Sequence, residues 1–374
     1  MIKVLFVFGT RPEAIKLSPV IHHLHQRPEE FLARVCVTAQ HRGLLDQVLS
    51  AFDIVPDYDL NLMSPGQTLF QSTARIIAGL EPVLKEDRPD VVLVQGDTTT
   101  TFCGALTAFY KRIPVGHVEA GLRTGDPWQP FPEEINRVLT GRLASIHFAA
   151  TDWAAGNLRR EGVDDTAINV TGNTGIDAVL YVANGLERGQ LSGSGLPPLD
   201  SSKKLIVVTA HRRESFGPGM EDICRALLHL AQRADTQIVF PVHPNPNVQD
   251  PVHRGLADVP NITLCEPLGY VPFVDLMRHA WLLLTDSGGI QEEGPSLGKP
   301  ILVMRNKTER PEAVEAGTVV LVGTDPDRIV RGASLLLDDP TVHQRMSRIH
   351  NPYGDGNASR RIADVLLSQR WLPR

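Results

Sequence analysis

Residues 281–293, WLLLTDSGGIQEE, join an apolar run, a glycine turn and a polar helix start, an arrangement suited to holding an anion beside a polyol. Trp281 to Leu284 read as a strand covered on both faces, because no polar residue interrupts the run. At Ser287-Gly288-Gly289 the chain can turn without Cβ obstruction. Successive backbone N–H groups then converge on an anion where the next helix dipole also favours negative charge. Glu293 follows Gly289 by four residues, about one turn along the same face, where its carboxylate can accept hydrogen bonds from hydroxyls next to a phosphate. A ribose diphosphate would suit both halves. The plainer reading, a Ser N-cap on an ordinary strand-to-helix turn, needs only the serine. Two commoner motifs fail: the P-loop spacing from Gly289 has Pro295 where its lysine belongs, and a nucleophile elbow around Ser287 lacks its first glycine.

Further candidates sit at the ends of other apolar runs. Phe8-Gly9-Thr10-Arg11-Pro12-Glu13 leads from a strand into a helix with Pro12 expected at its first position, bringing Arg11 and Lys16 to a helix start where either can counter phosphate charge. Asp97, after the run ending at Gln95, is either a helix cap or a cleft carboxylate. Residues 117–137, HVEAGLRTGDPWQPFPEEINR, gather His117, Glu119, Arg123, Asp126, Glu133, Glu134 and Arg137 among prolines and glycines, as functional loops do. Glu119 is expected to face the same cleft as Asp97, and Glu133 to open a helix after Pro132. Carboxylates crowded into a partly desolvated cleft serve as bases near neutral pH, because burial and like charge both disfavour ionisation; others in such a loop make only salt bridges. In the second half His211-Arg212-Arg213 follows one strand and Arg305 to Arg310 follows another. His211 reads as a proton donor to a departing diphosphate or as its hydrogen-bonding neighbour. His243 has no H-x-x-x-H or H-x-H partner, so no metal site is indicated.

Groups so scattered can meet only if their strands end along one edge. Strand candidates are Val4–Phe8, Val35–Thr38, Val91–Gln95, Val115–Val118, Ile168–Thr171, Leu205–Thr209, Ile238–Val242, Ile262–Leu264, Trp281–Leu284, Ile301–Met304 and Val319–Val322, with helical segments between them. A Gly-, Ser- and Pro-rich stretch between Tyr181 and Lys204 marks a loop near a domain junction. The pattern implies an α/β protein of two doubly wound, Rossmann-like parallel-sheet domains, with the active site in the cleft between them at the carboxyl ends of the strands. At 374 residues each domain can have a full core. The formal net charge of −6 and the lack of a long Lys/Arg block disfavour nucleic acid as a partner. Cys36, Cys103, Cys224 and Cys265 form no CxxC pair, which fits reduced thiols in a cytoplasm. No apolar run approaches the roughly 18 residues of a membrane span, and no cleavable apolar leader precedes the first strand. Without a G-x-G-x-x-G fingerprint, no resident NAD or other cofactor is expected.

Taken in order, GTRPEAIK, TAQHR, GDTTTT, HVEAGLRTGD, PEEINR, TGNTGIDA, HRRESFG, VHPNP, TDSGGIQEE, GKP, ERPEA, AGT and NPYGDG resemble the non-hydrolysing bacterial UDP-N-acetylglucosamine 2-epimerases over nearly the whole chain. The resemblance implies a GT-B-like fold, divided here as residues 1–171 with the catalytic carboxylates, 172–355 with UDP, and a C-terminal helix, 356–374, that returns to the first domain. It implies interconversion of UDP-GlcNAc and UDP-ManNAc for surface polysaccharides such as enterobacterial common antigen, by a homodimer. Carried over by motif, Asp97, Glu119, Glu133 and His211 match the catalytic positions, and Arg11, Lys16, Phe273, Ser287, Gly288, Glu293 and Arg310 match UDP-sugar contacts. One departure stands out. Such enzymes are often activated by UDP-GlcNAc at a second site, lined partly by a QHRQ-type motif and by an arginine just ahead of QTL. Here those positions hold Gly43, in Gln40-His41-Arg42-Gly43, and Gly66.

The chemistry can also be argued without the family. No carbonyl adjoins C2 of an N-acetylhexosamine to acidify its proton, and without NAD the remaining route expels UDP from C1, so that positive character beside C2 makes the proton removable. Elimination gives UDP and 2-acetamidoglucal, and readdition on the other face gives the epimer. Which of Asp97, Glu119 and Glu133 removes the proton and which returns it stays open. The alternatives are a GT-B glycosyltransferase, which would need an acceptor groove, an inert UDP-sugar sensor, and a hydrolysing epimerase that releases free ManNAc.

Overall fold

The computed structural model describes the chain except residues 40, 41, 63, 65, 309 and 369–374 and the side chains of 42 and 44. It comprises two compact units, Met1–Ala178 with Gly354–Arg374, and Val179–Tyr353. The first contains β1 (Ile2–Phe8), β2 (Phe31–Val37), β3 (Tyr58–Asp59), β4 (Val91–Gln95), β5 (Val115–Ala120), β6 (Ile146–Ala149) and β7 (Ile168–Val170), paired in parallel in the order β3-β2-β1-β4-β5-β6-β7. The second contains β8 (Lys204–Thr209), β9 (Thr236–Pro241), β10 (Ile262–Cys265), β11 (Leu282–Thr285), β12 (Ile301–Val303) and β13 (Val319–Leu321), also parallel, in the order β10-β9-β8-β11-β12-β13.

These are the doubly wound sheets that the alternating runs imply. Parallel strands are covered by helices on both faces, so β4, with every position buried, carries no polar–apolar alternation. One core forms where Leu5, Val7, Val92 and Val94 meet Ile76 and Leu80, and another where Ile206, Val208, Ile238 and Phe240 meet Leu227 and Leu336. Each sheet reverses direction beside its first strand, between β1 and β4 and between β8 and β11. There the loops on the carboxyl side diverge, which makes room for a ligand.

The expected strands all form, with ends moved by a few residues, and two were not anticipated. β3 is only two residues long, and β6, IHFA, places a histidine inside a short buried run. Trp281, expected to open β11, stands outside it: its ring stacks on His343 at 4.0 Å and its Nε1 donates to Leu336 O at 3.0 Å. The loop expected from Tyr181 begins later, because the helix Thr174–Glu187 continues through that position. Helix Ala358–Leu367 packs on helix Arg11–His25 within the first unit, and the Asp177 carboxylate accepts the N–H groups of Ala358 and Ser359 at 3.2 and 2.8 Å, holding its first turn. Among the described residues, no helix is long and apolar enough to cross a membrane.

Candidate active site

In the first unit the site begins at the end of β1. A Cβ on Gly9 would overlap the hydroxyls of Thr38 and Thr100, so the close approach of the loop admits only glycine. Thr10 is the extended N-cap of the next helix, which makes Arg11 its first residue and Pro12 its second rather than its first. The Glu13 carboxylate accepts the N–H groups of Gly9 and Thr10 at 3.0 and 2.7 Å and the hydroxyls of Thr98 and Thr101 at 2.7 and 3.0 Å. Burial pushes the Glu13 carboxyl up in spite of those four donors. This side chain ties the loop after β1, with Arg11 and Lys16, to the loop after β4, with Asp97. Sequence reasoning passed over Glu13, although its position three residues after Thr10 is the spacing of a capping box.

Glu119 is the most constrained of the candidate carboxylates. It has a left-handed backbone, φ 65°, where the β5–β6 register shifts between Val118 and Ala120. For a residue other than glycine that conformation costs of order 1–3 kcal/mol, and a bulge of this kind re-aims one side chain. One Glu119 oxygen pairs with Lys16 Nζ and the other accepts Gln95 Nε2. Lys16, expected to face phosphate, is thus placed against a carboxylate.

Asp97 is not the helix cap. Thr98 takes that role by accepting the Thr101 N–H at 3.1 Å, and the Asp97 carboxylate pairs with Arg137. Arg137 reaches Glu134 as well, at 3.1 Å, and Glu134 accepts the N–H groups of Thr124 and Gly125, both at 3.0 Å. Glu133 opens the helix Glu133–Leu143 and stays partly exposed. Arg123 is taken up bidentately by Glu161, and Asp126 accepts the Trp128 N–H at 2.9 Å, so both shape the loop. The expected crowd of carboxylates therefore resolves into anions interleaved with cations. His117 lies beneath them, 1% exposed, with Nε2 at 2.7 Å from Gly96 O; burial pushes its pKa down to about 3.

In the second unit Ser287 is the N-cap residue of Gly288–Glu293, as the plainer reading expects, but its hydroxyl makes no capping bond. The turn is held instead by Thr285 Oγ1, which accepts the Ser287 N–H at 2.9 Å, and by Gln291 Nε2, which donates to Ser287 O at 3.2 Å. A Cβ on Gly288 would overlap the Arg310 guanidinium, which therefore lies against the start of the helix. Glu292 fixes it there by accepting Arg310 Nε at 2.7 Å. Glu293 Oε1 reaches back to 3.8 Å from where a Gly289 Cβ would stand. Phe273 lies in helix Tyr270–His279, partly buried. His211 follows β8, with Nδ1 at 3.0 Å from Asp286 Oδ1 and its ring stacked on His243 at 5.7 Å. Asp286 and Glu292, both buried, were not singled out from sequence; a carboxylate between an apolar strand and a glycine turn was the available signal.

Gly43 and Gly66 are exposed, and among the described residues a Cβ would meet nothing within 4 Å at either. Gln40, His41 and Glu309 lie outside the described residues.

Residues 22–367 match the family described as UDP-N-acetylglucosamine 2-epimerase. The UDP-N-acetylglucosamine 2-epimerase of Escherichia coli (strain K12) is 60% identical over 373 residues, 98% of this chain and 99% of the relative. The chain belongs to the UDP-N-acetylglucosamine 2-epimerase family. A crystal structure of the Neisseria meningitidis UDP-GlcNAc 2-epimerase, bound to UDP-GlcNAc, is 50% identical with a TM-score of 0.89, covering 98% of this chain and 100% of that one. The GT-B-like fold of this epimerase family extends further, to the glycosyltransferase of kitacinnamycin, at a TM-score of 0.66, 16% identity and 99% coverage of each chain, a likeness of fold alone.

Proposed function

We propose that this chain is a non-hydrolysing isomerase that interconverts UDP-GlcNAc and UDP-ManNAc by eliminating and readding UDP. The observation that carries the reading is Glu119, a carboxylate aimed by a strained bulge and held at both oxygens by Lys16 and Gln95. Binding a nucleotide alone does not call for that arrangement. The substrate presents its diphosphate to Ser287, Gly288, Gly289 and Arg310, with Arg11, Phe273 and Glu293 completing its contacts. Its C2 is served by Asp97, Glu119 and Glu133. As the C1–O bond breaks, its electron pair leaves with UDP, the C2–H electrons become the C1=C2 bond of 2-acetamidoglucal, and the proton passes to a carboxylate. The cations and backbone N–H groups around the diphosphate stabilise the leaving charge. UDP then adds back while a proton reaches C2 from the opposite face.

The test is turnover of UDP-GlcNAc in D₂O with no acceptor, metal or nicotinamide added. UDP-ManNAc carrying deuterium at C2 is expected, because the returning proton comes from an acid that exchanges with solvent. Product that keeps all its C2 protium, free ManNAc, or no product without an acceptor would each reject the mechanism. In this reading the product supplies ManNAc units for surface polysaccharide, such as enterobacterial common antigen, in the cytoplasm. A homodimer is supported by exposed Phe109 and Tyr110, which line with Ile113, Pro114 and Leu143 a groove of about 660 Å³ that a second copy would cover. Light scattering that returned a monomer would refute it.

A further inference from the structure

Asp286 is completely buried at the end of β11, directly ahead of Ser287. Its Oδ2 accepts the backbone N–H groups of His211 and Arg212, each at 2.8 Å, so it ties the loop after β8 to the phosphate turn. The two strand ends are already latched by the hydroxyls of Thr209 and Thr285, 2.6 Å apart. Stitching loops together therefore accounts for one oxygen only. The other, Oδ1, has no aligned hydrogen bond, and what stands before it is His211 Nδ1 at 3.0 Å, close enough to pair although off the ideal N–H axis. A buried carboxylate oxygen left without a partner is costly, which makes this approach significant. The His211 side chain is 36% exposed whereas Asp286 is sealed, so part of the ring remains within reach of a ligand. His243 stacks on the ring face with an interplanar angle of 22° and restricts its rotation.

We propose that Asp286 is a positioning residue that takes the Nδ1 proton of His211 and thereby assigns Nε2 to the leaving diphosphate. The inference rests on the epimerase reading of the site. With Nδ1–H committed to the carboxylate, Nε2–H gives its proton to the diphosphate oxygen as the electron pair of the C1–O bond arrives there, and takes the proton back on readdition. The ring alternates between its doubly protonated form and the Nδ1–H tautomer, and the charge of Asp286 balances the former. Asp286 is suited to this. Burial opposes its charge, yet the His211 ring and the two backbone N–H donors outweigh burial and hold the carboxyl below its usual range. Among the described residues, the titratable groups seen against the ring are Asp286 from the turn after β11 and His243 from the loop after β9, and Arg212 adjoins it in sequence. His243 is pushed toward neutrality by burial and then by His211, which leaves Asp286 as the counter-charge.

The first measurement needs no variant of Asp286. Long-range ¹H–¹⁵N correlation on the full chain, with the ring assigned by its loss in His211→Gln, should show Nδ1 protonated throughout the pH range of turnover; a neutral ring protonated only at Nε2 overturns the proposal. Asp286→Asn should reverse the tautomer, because the amide oxygen can keep the backbone N–H groups while the amide N–H turns to Nδ1. With it, kcat should fall about 10²-fold while KM moves by less than about threefold. In the His211→Gln background the same change should cost little more, since both losses belong to one unit. Fully additive losses, or a fall in kcat with an unchanged His211 spectrum, would show that Asp286 serves only as scaffold. If the wild type does not epimerise UDP-GlcNAc, the functional reading fails while the spectrum still decides the role of Asp286.

Discussion

Glu119 in the first unit is held at its side chain by groups 103 and 24 residues away, whereas in the second the N–H groups of Ser287, Gly288 and Gly289 are aimed by their own strand-to-helix turn, with distant ties made by its neighbours Thr285 and Asp286. Asp97 meets Arg137 across 40 residues, and Glu13 reaches Thr98 across 85. Side chains fixed from distant elements keep one geometry, as acid–base chemistry requires, because a proton is transferred only within hydrogen-bond reach. A cradle of backbone N–H groups needs no such anchoring, since the turn itself aims them. Under the proposed function the first unit reacts and the second holds, so substitutions in the two should separate kcat from binding.

The largest effects belong to the first unit. Asp97→Asn, Glu119→Gln and Glu133→Gln should each lower kcat by about 10²-fold or more, with modest change in KM, as loss of an acid or base does. Near-normal turnover in all three would end the comparison. Next come Arg310→Ala and Glu293→Ala, expected to weaken UDP by about tenfold each, the scale of one charge-assisted hydrogen bond. Gly288→Ala belongs with them, since its methyl would displace the guanidinium that Glu292 fixes. Titration calorimetry with UDP is the measurement, and unchanged affinity in all three would remove this turn from the site.

The same contrast decides what could be read in advance. Hydrophobic runs located nearly every strand, because in a parallel sheet the buried run is the strand. Tyr58–Asp59 and Ile146–Ala149 escaped because two residues make no pattern and a buried histidine interrupts one. The second unit's turn was legible because its parts are adjacent. In the first unit the residues were legible and their pairing was not. Nothing local says that Lys16 serves Glu119, that Arg137 stands between Asp97 and Glu134, or that Glu13 fastens two loops. Opposite charges from separate elements find one another only when the sheet brings their strand ends together.

A smaller effect lies beneath the first unit's charges, in its sheet. His117 and His147 are cross-strand neighbours on β5 and β6, and burial pushes their pKa values down to about 3 and about 4. The fold keeps both rings neutral at pH values where the unfolded chain, with histidine near 6.5, takes up protons. Stability is therefore full above about pH 6.5 and falls as pH falls, by up to about 1.4 kcal/mol per pH unit for each ring. His117→Gln, whose amide N–H can replace the donor to Gly96 O, should remove roughly one ring's share of that slope. Urea unfolding between pH 4.5 and 7.5 measures it, and an identical slope in the variant would show that His117 does not titrate on unfolding.

The smallest effect tests whether, under the proposed function, one bound UDP-GlcNAc suffices. Gly43 and Gly66 stand where an activator's contacts are expected, and the described residues offer no crowding that would demand glycine at either. Their backbones differ, however. Gly43 is the second residue of the helix Arg42–Ala51, where a helix-forming side chain is preferred by a fraction of the roughly 1 kcal/mol that separates glycine from alanine in a helix interior, so Gly43→Gln should be tolerated. Gly66 has φ 70°, a left-handed conformation that costs an L-residue roughly 1–2 kcal/mol, so Gly66→Arg should strain the turn ahead of helix Leu69–Asp87. Local backbone energetics thus favour glycine at one position and oppose it at the other, and Gly43 calls for an explanation in function. If activation has been given up, conversion of UDP-ManNAc should start without a lag and without added UDP-GlcNAc, and Gly43→Gln should leave that time course unchanged unless Gly66→Arg is added. A reverse reaction that stays silent until UDP-GlcNAc is supplied would mean that other side chains hold a second substrate molecule.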